Sequence, residues 1–167
     1  MQDHLKTYIQ NLNPEHLGTA FFTKCREAVY NLFDEKDILL NAGCGDDYYP
    51  EFKNMAYIDV KSSLKLDYCG FIEDYKPNFL FDGILAFGSL NIGGLNEQIA
   101  NFEHLFSLLK PNGIFLLRAN TSYFEKDGIE RAVWNKSFLE KYGSVEEIPL
   151  FHSIKKDGAK SLFVIRK

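Results

Sequence analysis

The sequence is short of cysteine, of positive charge and of long apolar runs, and each shortage removes a class of protein. Its three cysteines, Cys25, Cys44 and Cys69, form an odd, scattered set with no Cys-x-x-Cys pair. That argues against a paired disulfide framework and against a structural zinc site. It leaves a reducing compartment, the cytoplasm, as the expectation, with no metal. No stretch approaches the ~18 apolar residues of a membrane span. The opening Met1-Gln2-Asp3-His4 is polar and no apolar run follows it, so neither a membrane association nor a signal peptide is expected. Lys and Arg (19) are outnumbered by Asp and Glu (23), which gives a net charge of −4 and no basic patch to grip a nucleic-acid backbone. Aromatic side chains are plentiful, at 15% of the 167 residues. They suit a well-packed core and the surroundings of a flat ligand. The length predicts a single domain.

Along the chain, Asn13-Pro14-Glu15 has the chemistry of a helix start. Leu17, Phe21, Cys25, Ala28, Val29 and Leu32 then recur at helical spacing, predicting a helix to about Phe33. Asp37 to Asn41 is a short apolar run ending in a Gly-rich turn, as a buried parallel strand would. Met55 to Val60, the residues around Leu66, Gly83 to Phe87 and Ile114 to Ala119 are further strands. Leu95, Ile99, Phe102, Leu105, Phe106 and Leu109 mark a helix that stops at Pro111-Asn112-Gly113. Strands alternating with helices imply a parallel, doubly wound α/β sheet with helices on both faces.

The tail reads differently. A helix is expected around Ile129 to Tyr142. Two strand-like runs follow, Val145 to Ile154 and Ser161 to Ile165, with Lys156-Asp157-Gly158 between them as a hairpin signal. The link is too short for a helical crossover, so the last strand must run antiparallel to its partner. The division expected is N-terminal helices over 1–34, a ligand-binding core over 37–119 and a C-terminal helix and hairpin over 120–167.

The chemistry concentrates where the first strand meets Gly43-Cys44-Gly45. Glycine there lets the chain turn sharply and lets a ligand approach the backbone, at the sheet edge where open α/β folds place ligands. Asp59 ends the second strand, where a carboxylate can accept from both hydroxyls of a ribose. A dinucleotide fits less well, because its pyrophosphate would lie near Asp46 and Asp47.

Leu40-Asn41-Ala42-Gly43-Cys44-Gly45, the following Pro50 and Tyr57-Ile58-Asp59-Val60 resemble the class I S-adenosylmethionine-dependent methyltransferases of the methyltransferase type 11-like kind. Phe81-Asp82-Gly83-Ile84-Leu85-Ala86 looks like their fourth strand, and Leu108 to Leu116 is similar to the segment that precedes and enters their fifth. The four segments occur in family order. The resemblance implies a mostly parallel seven-stranded sheet in the order 3-2-1-4-5-7-6, with the last strand reversed. It implies S-adenosylmethionine as cofactor. Asn41, Gly43, Cys44 and Gly45 would lie by its methionine part, Asp59 by the ribose, and Val60, Phe71 and Ile72 by the adenine. Phe87, Gly88 and Ser89 would border the methyl group.

The departures from the family are specific. Asn41 replaces an acidic residue, Asp47 stands in place of a third glycine, and Leu90-Asn91-Ile92 lacks the histidine frequent after the fourth strand. The link from Gly45 to Met55 leaves room for only a turn or two of helix.

No strong base is evident. Ser89, Asn91 and Tyr123 are the catalytic candidates, with Asn120 and Thr121 as further strand-end polar groups. His152 reads more readily as a core or surface histidine than as a base. Tyr48 and Tyr49 can cover a ligand or pack on the N-terminal helix, and Trp134 can wall a pocket or anchor the last helix. The expected activity is methyl transfer to a small-molecule or sugar-like acceptor. The alternatives are a non-catalytic cofactor-binding or partner subunit, the latter admitting a protein partner, and an enzyme that cleaves S-adenosylmethionine itself.

Overall fold

The apolar runs come together as one sheet in a computed structural model that describes residues 3–4, 6–7, 19–62, 64–123, 125–126, 128–150 and 159–167. Helix α1 spans Thr19–Leu32. Strands β1 (Leu39–Ala42), β2 (Met55–Asp59), β3 (Tyr68–Cys69) and β4 (Phe81–Phe87) follow, then helix α2 (Leu95–Ser107) and β5 (Leu109–Asn120). A small ribbon of β6 (Glu125–Lys126) and β7 (Ile129–Glu130) precedes the short helix α3 (Lys136–Leu139). Strands β8 (Ser144–Leu150) and β9 (Lys160–Arg166) close the fold.

The seven-stranded sheet has the order β3-β2-β1-β4-β5-β9-β8. With the β6–β7 ribbon set aside, this is the order 3-2-1-4-5-7-6. The pairs among β1 to β5 are parallel, whereas β9 runs antiparallel to both β5 and β8. The reversed last strand is therefore present. Its expected turn at Lys156-Asp157-Gly158 lies outside the described residues, as do His152 and the Asn13-Pro14-Glu15 helix start.

The central strands are apolar without interruption because both of their faces are covered. Leu40, Ala42, Ile84, Ala86, Phe115 and Leu117 point to one side, with Phe102, Leu105 and Phe106 of α2. Leu39, Leu85 and Leu116 point to the other, with Cys25 and Val29 of α1. This is the period-two alternation of a strand, read out on two layers.

Three local expectations change. First, no helix forms between β1 and β2. Residues 43–54 make turns instead, among them Asp47 N–H to the Cys44 carbonyl (2.9 Å) and Phe52 N–H to the Tyr49 carbonyl (3.2 Å). Helix α1 takes the place of the missing crossover helix and packs on Tyr49, Phe52 and Met55. Second, the helix expected over Ile129–Tyr142 is reduced to Lys136–Leu139, capped by the Asn135 side chain, which accepts from Phe138 N–H. Ile129 and Glu130 instead pair with Lys126 and Glu125. Burial of Trp134, whose indole N–H donates to the Leu90 carbonyl at 2.9 Å, holds the chain extended before α3. Third, Pro111-Asn112-Gly113 does not lie outside the strand. It is a bulge inside β5, where the register moves from Phe81 opposite Leu109 to Gly83 opposite Ile114, and Asn112 takes φ 65°.

Candidate functional site

Parallel strands that enter one sheet in the same direction end along the same edge, and that edge collects the polar residues singled out above. At the end of β1, Gly43 and Gly45 take φ of +70° and +53°, a region that L side chains avoid. The N–H groups of Gly43 and Cys44 both reach the Ile58 carbonyl, at 2.8 and 3.2 Å. The turn is thereby folded toward the end of β2. A Cβ on Gly43 would fall 2.3 Å from Cβ of Ser89, so glycine at 43 is required by close approach of the β1 and β4 ends. The Ser89 hydroxyl donates to the Ala42 carbonyl at 2.7 Å across the same gap.

Asp59 ties the two strand ends together. One carboxylate oxygen accepts Gly45 N–H at 2.8 Å and the other accepts Lys61 N–H at 3.0 Å. Each oxygen keeps acceptor capacity, since an ionised carboxylate offers about four lone-pair sites. Ser62 donates to the Gly45 carbonyl and stands 3.4 Å from the Asp46 carboxylate. Cys69 lies opposite Asp59 in β3, and Gly70 N–H donates to the Asp59 carbonyl at 2.9 Å. That brings half-buried Phe71 and Ile72, at the head of a 3-10 turn over Ile72–Asp74, alongside half-buried Val60. Lys6 closes on this turn, with Nζ 2.9 Å from Glu73 and 5.1 Å from the Phe71 ring centre.

The structure thus lines up Asn41, Gly43, Cys44, Gly45, Asp59, Val60, Phe71, Ile72, Phe87, Gly88 and Ser89 along one edge. Their roles differ. Asn41 is buried and its side-chain amide donates to the Asp47 carbonyl at 3.1 Å, bracing the turn. The Cys44 thiol is pushed up to about 12, chiefly by burial and then by the Asp59 charge, and that of Cys25 to about 11 by burial. Neither is a thiolate nucleophile at neutral pH.

The three catalytic candidates are held in different ways. The Ser89 hydroxyl donates to backbone. The Asn91 side chain lies 3.4 Å from both the Arg118 carbonyl and Asn120 N–H, joining the β4 end to β5. Tyr123 is 68% exposed and bonded to Glu125 at 3.1 Å. Tyr49 is buried under α1, with the Arg26 guanidinium 4.4 Å from its ring centre, while Tyr48 is exposed beside the turn. Among the described residues, no three His, Cys, Asp or Glu side chains group as a metal site requires.

Sequence reading missed an ionic cluster on the α1 side of this edge. Arg26 of α1 donates to Asp47 at 2.8 Å and to the Tyr48 carbonyl at 3.0 Å. Arg118, in β5, is buried and donates to the Phe87 carbonyl at 2.7 Å. The available signal was an arginine inside the otherwise apolar run Ile114 to Ala119, a place where a charge needs a reason.

No family model and no curated protein matches the sequence. Solved structures do match. One is the Burkholderia thailandensis 1,6-didemethyltoxoflavin-N1-methyltransferase with bound 1,6-didemethyltoxoflavin and S-adenosylhomocysteine. It has a TM-score of 0.67 at 15% identity, covering 99% of this chain and 85% of that one. Another is the N-methyltransferase NodS from Bradyrhizobium japonicum WM9 with S-adenosylhomocysteine, at TM-score 0.62, 13% identity, and 98% and 96% coverage. A third is CalS10, an amino pentose methyltransferase from Micromonospora echinaspora with bound S-adenosylmethionine, at TM-score 0.56, 10% identity, and 100% and 98% coverage. At these identities the likeness is one of fold, and the fold of this chain is that of the class I S-adenosylmethionine-dependent methyltransferases.

Proposed function

We propose that the chain is an S-adenosylmethionine-dependent methyltransferase, a single methyltransferase-like domain acting on a small-molecule or sugar-like acceptor. The observation that carries this reading is the coupling of Gly45 to Asp59: a positive-φ turn at the end of β1, bonded through its N–H to the carboxylate that ends β2. The residues present fit the cofactor. Asp59 has lone pairs left for two ribose hydroxyls. Val60, Phe71 and Ile72 offer half-buried apolar surface to a flat base, and the Gly43–Gly45 turn lies at the carboxyl edge of the sheet, where the amino-acid end would run.

The cofactor supplies a methyl group on a sulfonium, an electrophile that needs alignment more than acid–base help. This chain's contribution is to hold the ribose on Asp59, to keep the turn rigid through Asn41, Ser62 and Ser89, and to set the β4 end beside it. Gly88 and Ser89 border the acceptor's approach. The solved structures of like fold that hold S-adenosylhomocysteine or S-adenosylmethionine support the choice of cofactor, and the 1,6-didemethyltoxoflavin and the amino pentose named for two of them support the acceptor class.

Titration calorimetry with S-adenosylmethionine and S-adenosylhomocysteine tests the reading. Submicromolar to micromolar binding of both is expected, and tight binding of a nicotinamide dinucleotide instead would overturn it. Exposed Cys69 gives a second readout. It should react fastest of the three thiols with a maleimide, and bound cofactor should slow it. A second reading, a cofactor-binding partner subunit without turnover, draws on the commitment of Ser89 and Asn91 to backbone bonds. Binding without transfer across an acceptor panel would favour it. Release of cleaved cofactor in the absence of any acceptor would point to an enzyme that degrades S-adenosylmethionine.

A further inference from the structure

Beneath α1, two buried polar atoms face each other without meeting. Tyr49 is fully buried, and the side chain of Asp47 is only 8% exposed. The Tyr49 hydroxyl and Oδ2 of Asp47 are both shut off from solvent, and neither has a hydrogen-bond partner within the protein. They are neighbours all the same. Burial first, and then the Asp47 carboxylate beside it, push the Tyr49 hydroxyl well above its usual range. It is therefore a hydroxyl with a proton to give, next to an oxygen with lone pairs to accept one.

Both residues are held too firmly to close the distance. Asp47 N–H donates to the Cys44 carbonyl at 2.9 Å, its carbonyl accepts from Asn41 at 3.1 Å, and its Oδ1 accepts from Arg26 at 2.8 Å. Tyr49 N–H donates to the Tyr57 hydroxyl at 3.0 Å, and the Arg26 guanidinium lies 4.4 Å from its ring centre. A donor and an acceptor left unmet in the interior each cost their full desolvation. One water satisfies two such groups when they are fixed just beyond direct contact. The surroundings suit it, because Arg118 of β5 and Cys25 of α1 also feel the Asp47 charge. An apolar void would stay dry, whereas a polar one fills.

We propose that one internal water is bound beneath α1 between the Asp47 carboxylate and the Tyr49 hydroxyl, as an integral part of the loop that follows the Gly43–Gly45 turn. The water accepts from the hydroxyl and donates to Oδ2. Asp47 then ties two elements to the loop, holding Arg26 of α1 through one oxygen and Tyr49 through the other. With α1 packed above, the water exchanges only when the helix lifts, so it outlasts the tumbling of the molecule. The site is independent of which ligand the carboxyl edge of the sheet takes.

Magnetic relaxation dispersion of water oxygen-17, measured on the full chain, counts long-lived internal waters. A chain of 167 residues holds about six at the usual frequency, so the loss of one removes about a sixth of the amplitude, a measurable change. Tyr49→Phe keeps the ring under Arg26 and deletes the hydroxyl, and the amplitude should fall by the equivalent of one water. Tyr30→Phe is the control. Its ring is 41% exposed and its hydroxyl donates to Glu51, so the amplitude should not change. In wild type, the Tyr49 ring protons should show a nuclear Overhauser contact to water with the sign of a long-lived complex.

An unchanged amplitude in Tyr49→Phe overturns the proposal. So does a crystal structure of the wild type in which the Tyr49 hydroxyl donates directly to Asp47. If Tyr49→Phe fails to fold, or its α1 amides exchange faster than those of the wild type, the wild-type Overhauser contact decides. Its presence supports the bound water, and its absence overturns it.

Discussion

On the α2 side of the sheet, the ring of Phe102 lies 5.0 to 5.6 Å from those of Phe106, Phe115, Trp134 and Tyr142. On the α1 side, the comparable space holds Arg26 over Tyr49, Asp47 paired with that same guanidinium, and the Tyr57 hydroxyl pinned to the backbone of Tyr49. Both sides are buried, and both are aromatic. The first is a cluster of rings whose polar atoms, the Trp134 indole N–H and the Tyr142 hydroxyl, donate to the Leu90 carbonyl and to Glu103, and its packing serves stability. The second mixes rings with charges and contacts the strand ends that form the candidate site. Polar groups are tolerated there because Arg26 and Asn41 bond the backbone of a loop that has no helix to define it.

The largest break in this comparison should come from Phe102→Ala. Deleting a fully buried ring typically costs about 3–5 kcal/mol. Urea unfolding should show that loss, while S-adenosylhomocysteine affinity of the folded fraction stays within about twofold. A large drop in affinity would mean that the two sides are not independent.

Asp59→Ala should act the other way. Loss of a charge-assisted acceptor predicts about 1–3 kcal/mol weaker cofactor binding by calorimetry. Because the same carboxylate accepts Gly45 and Lys61 N–H groups, the variant should also lose stability, by about 1 kcal/mol. Unchanged affinity in a folded variant would remove Asp59 from the site.

Arg26→Met separates the turn from α1. The side chain of Arg26 is 34% exposed and that of Asp47 only 8%. The expected loss, about 1 kcal/mol, comes mainly from leaving Asp47 with less compensation. A double-mutant cycle with Asp47→Asn measures the coupling. Additive effects would show that the pair does not brace the turn.

The smallest effect belongs to the opposite edge. Burial of Asp82 works against its ionisation, yet Ile38 N–H at 2.9 Å and Lys110 hold its carboxyl below the usual range. Its folded pKa therefore lies below its unfolded one. The stabilisation is complete above the unfolded value and is lost as pH falls through the folded one. Asp82→Asn should lower stability at neutral pH by about 0.5 kcal/mol, since the pair is partly exposed, and should flatten the acid limb of the stability curve. An unchanged acid limb would show that Asp82 is not ionised differently in the two states.

Much of the site was legible because its parts are local. Gly43-Cys44-Gly45 after an apolar strand, and Asp59 at the end of the next, announce a turn and a carboxylate within a few residues of each other in the fold. Gly43 shows the limit of that legibility. The sequence suggested that a ligand needs its missing side chain, and the structure shows that Ser89, on another strand, needs it as well. Ser62 and Arg118 were missed because their partners, the Gly45 carbonyl and the Phe87 carbonyl, are backbone atoms brought near only by folding.

By itself the sequence determined the alternation of buried strands with amphipathic helices and the antiparallel closing strand. These follow from apolar periodicity and from the length of links, and both are properties of the chain read locally. It misjudged the segments whose shape depends on what covers them. Residues 43–54 form turns because α1 is already packed on that face. Ile129 to Trp134 runs extended, its helical spacing notwithstanding, because Trp134 finds its hydrogen-bond acceptor on Leu90 and its packing on Phe102. In both places a distant partner outweighs propensities of a few tenths of a kcal/mol per residue, on the order of those that separate helix from coil, so the choice was left to tertiary structure.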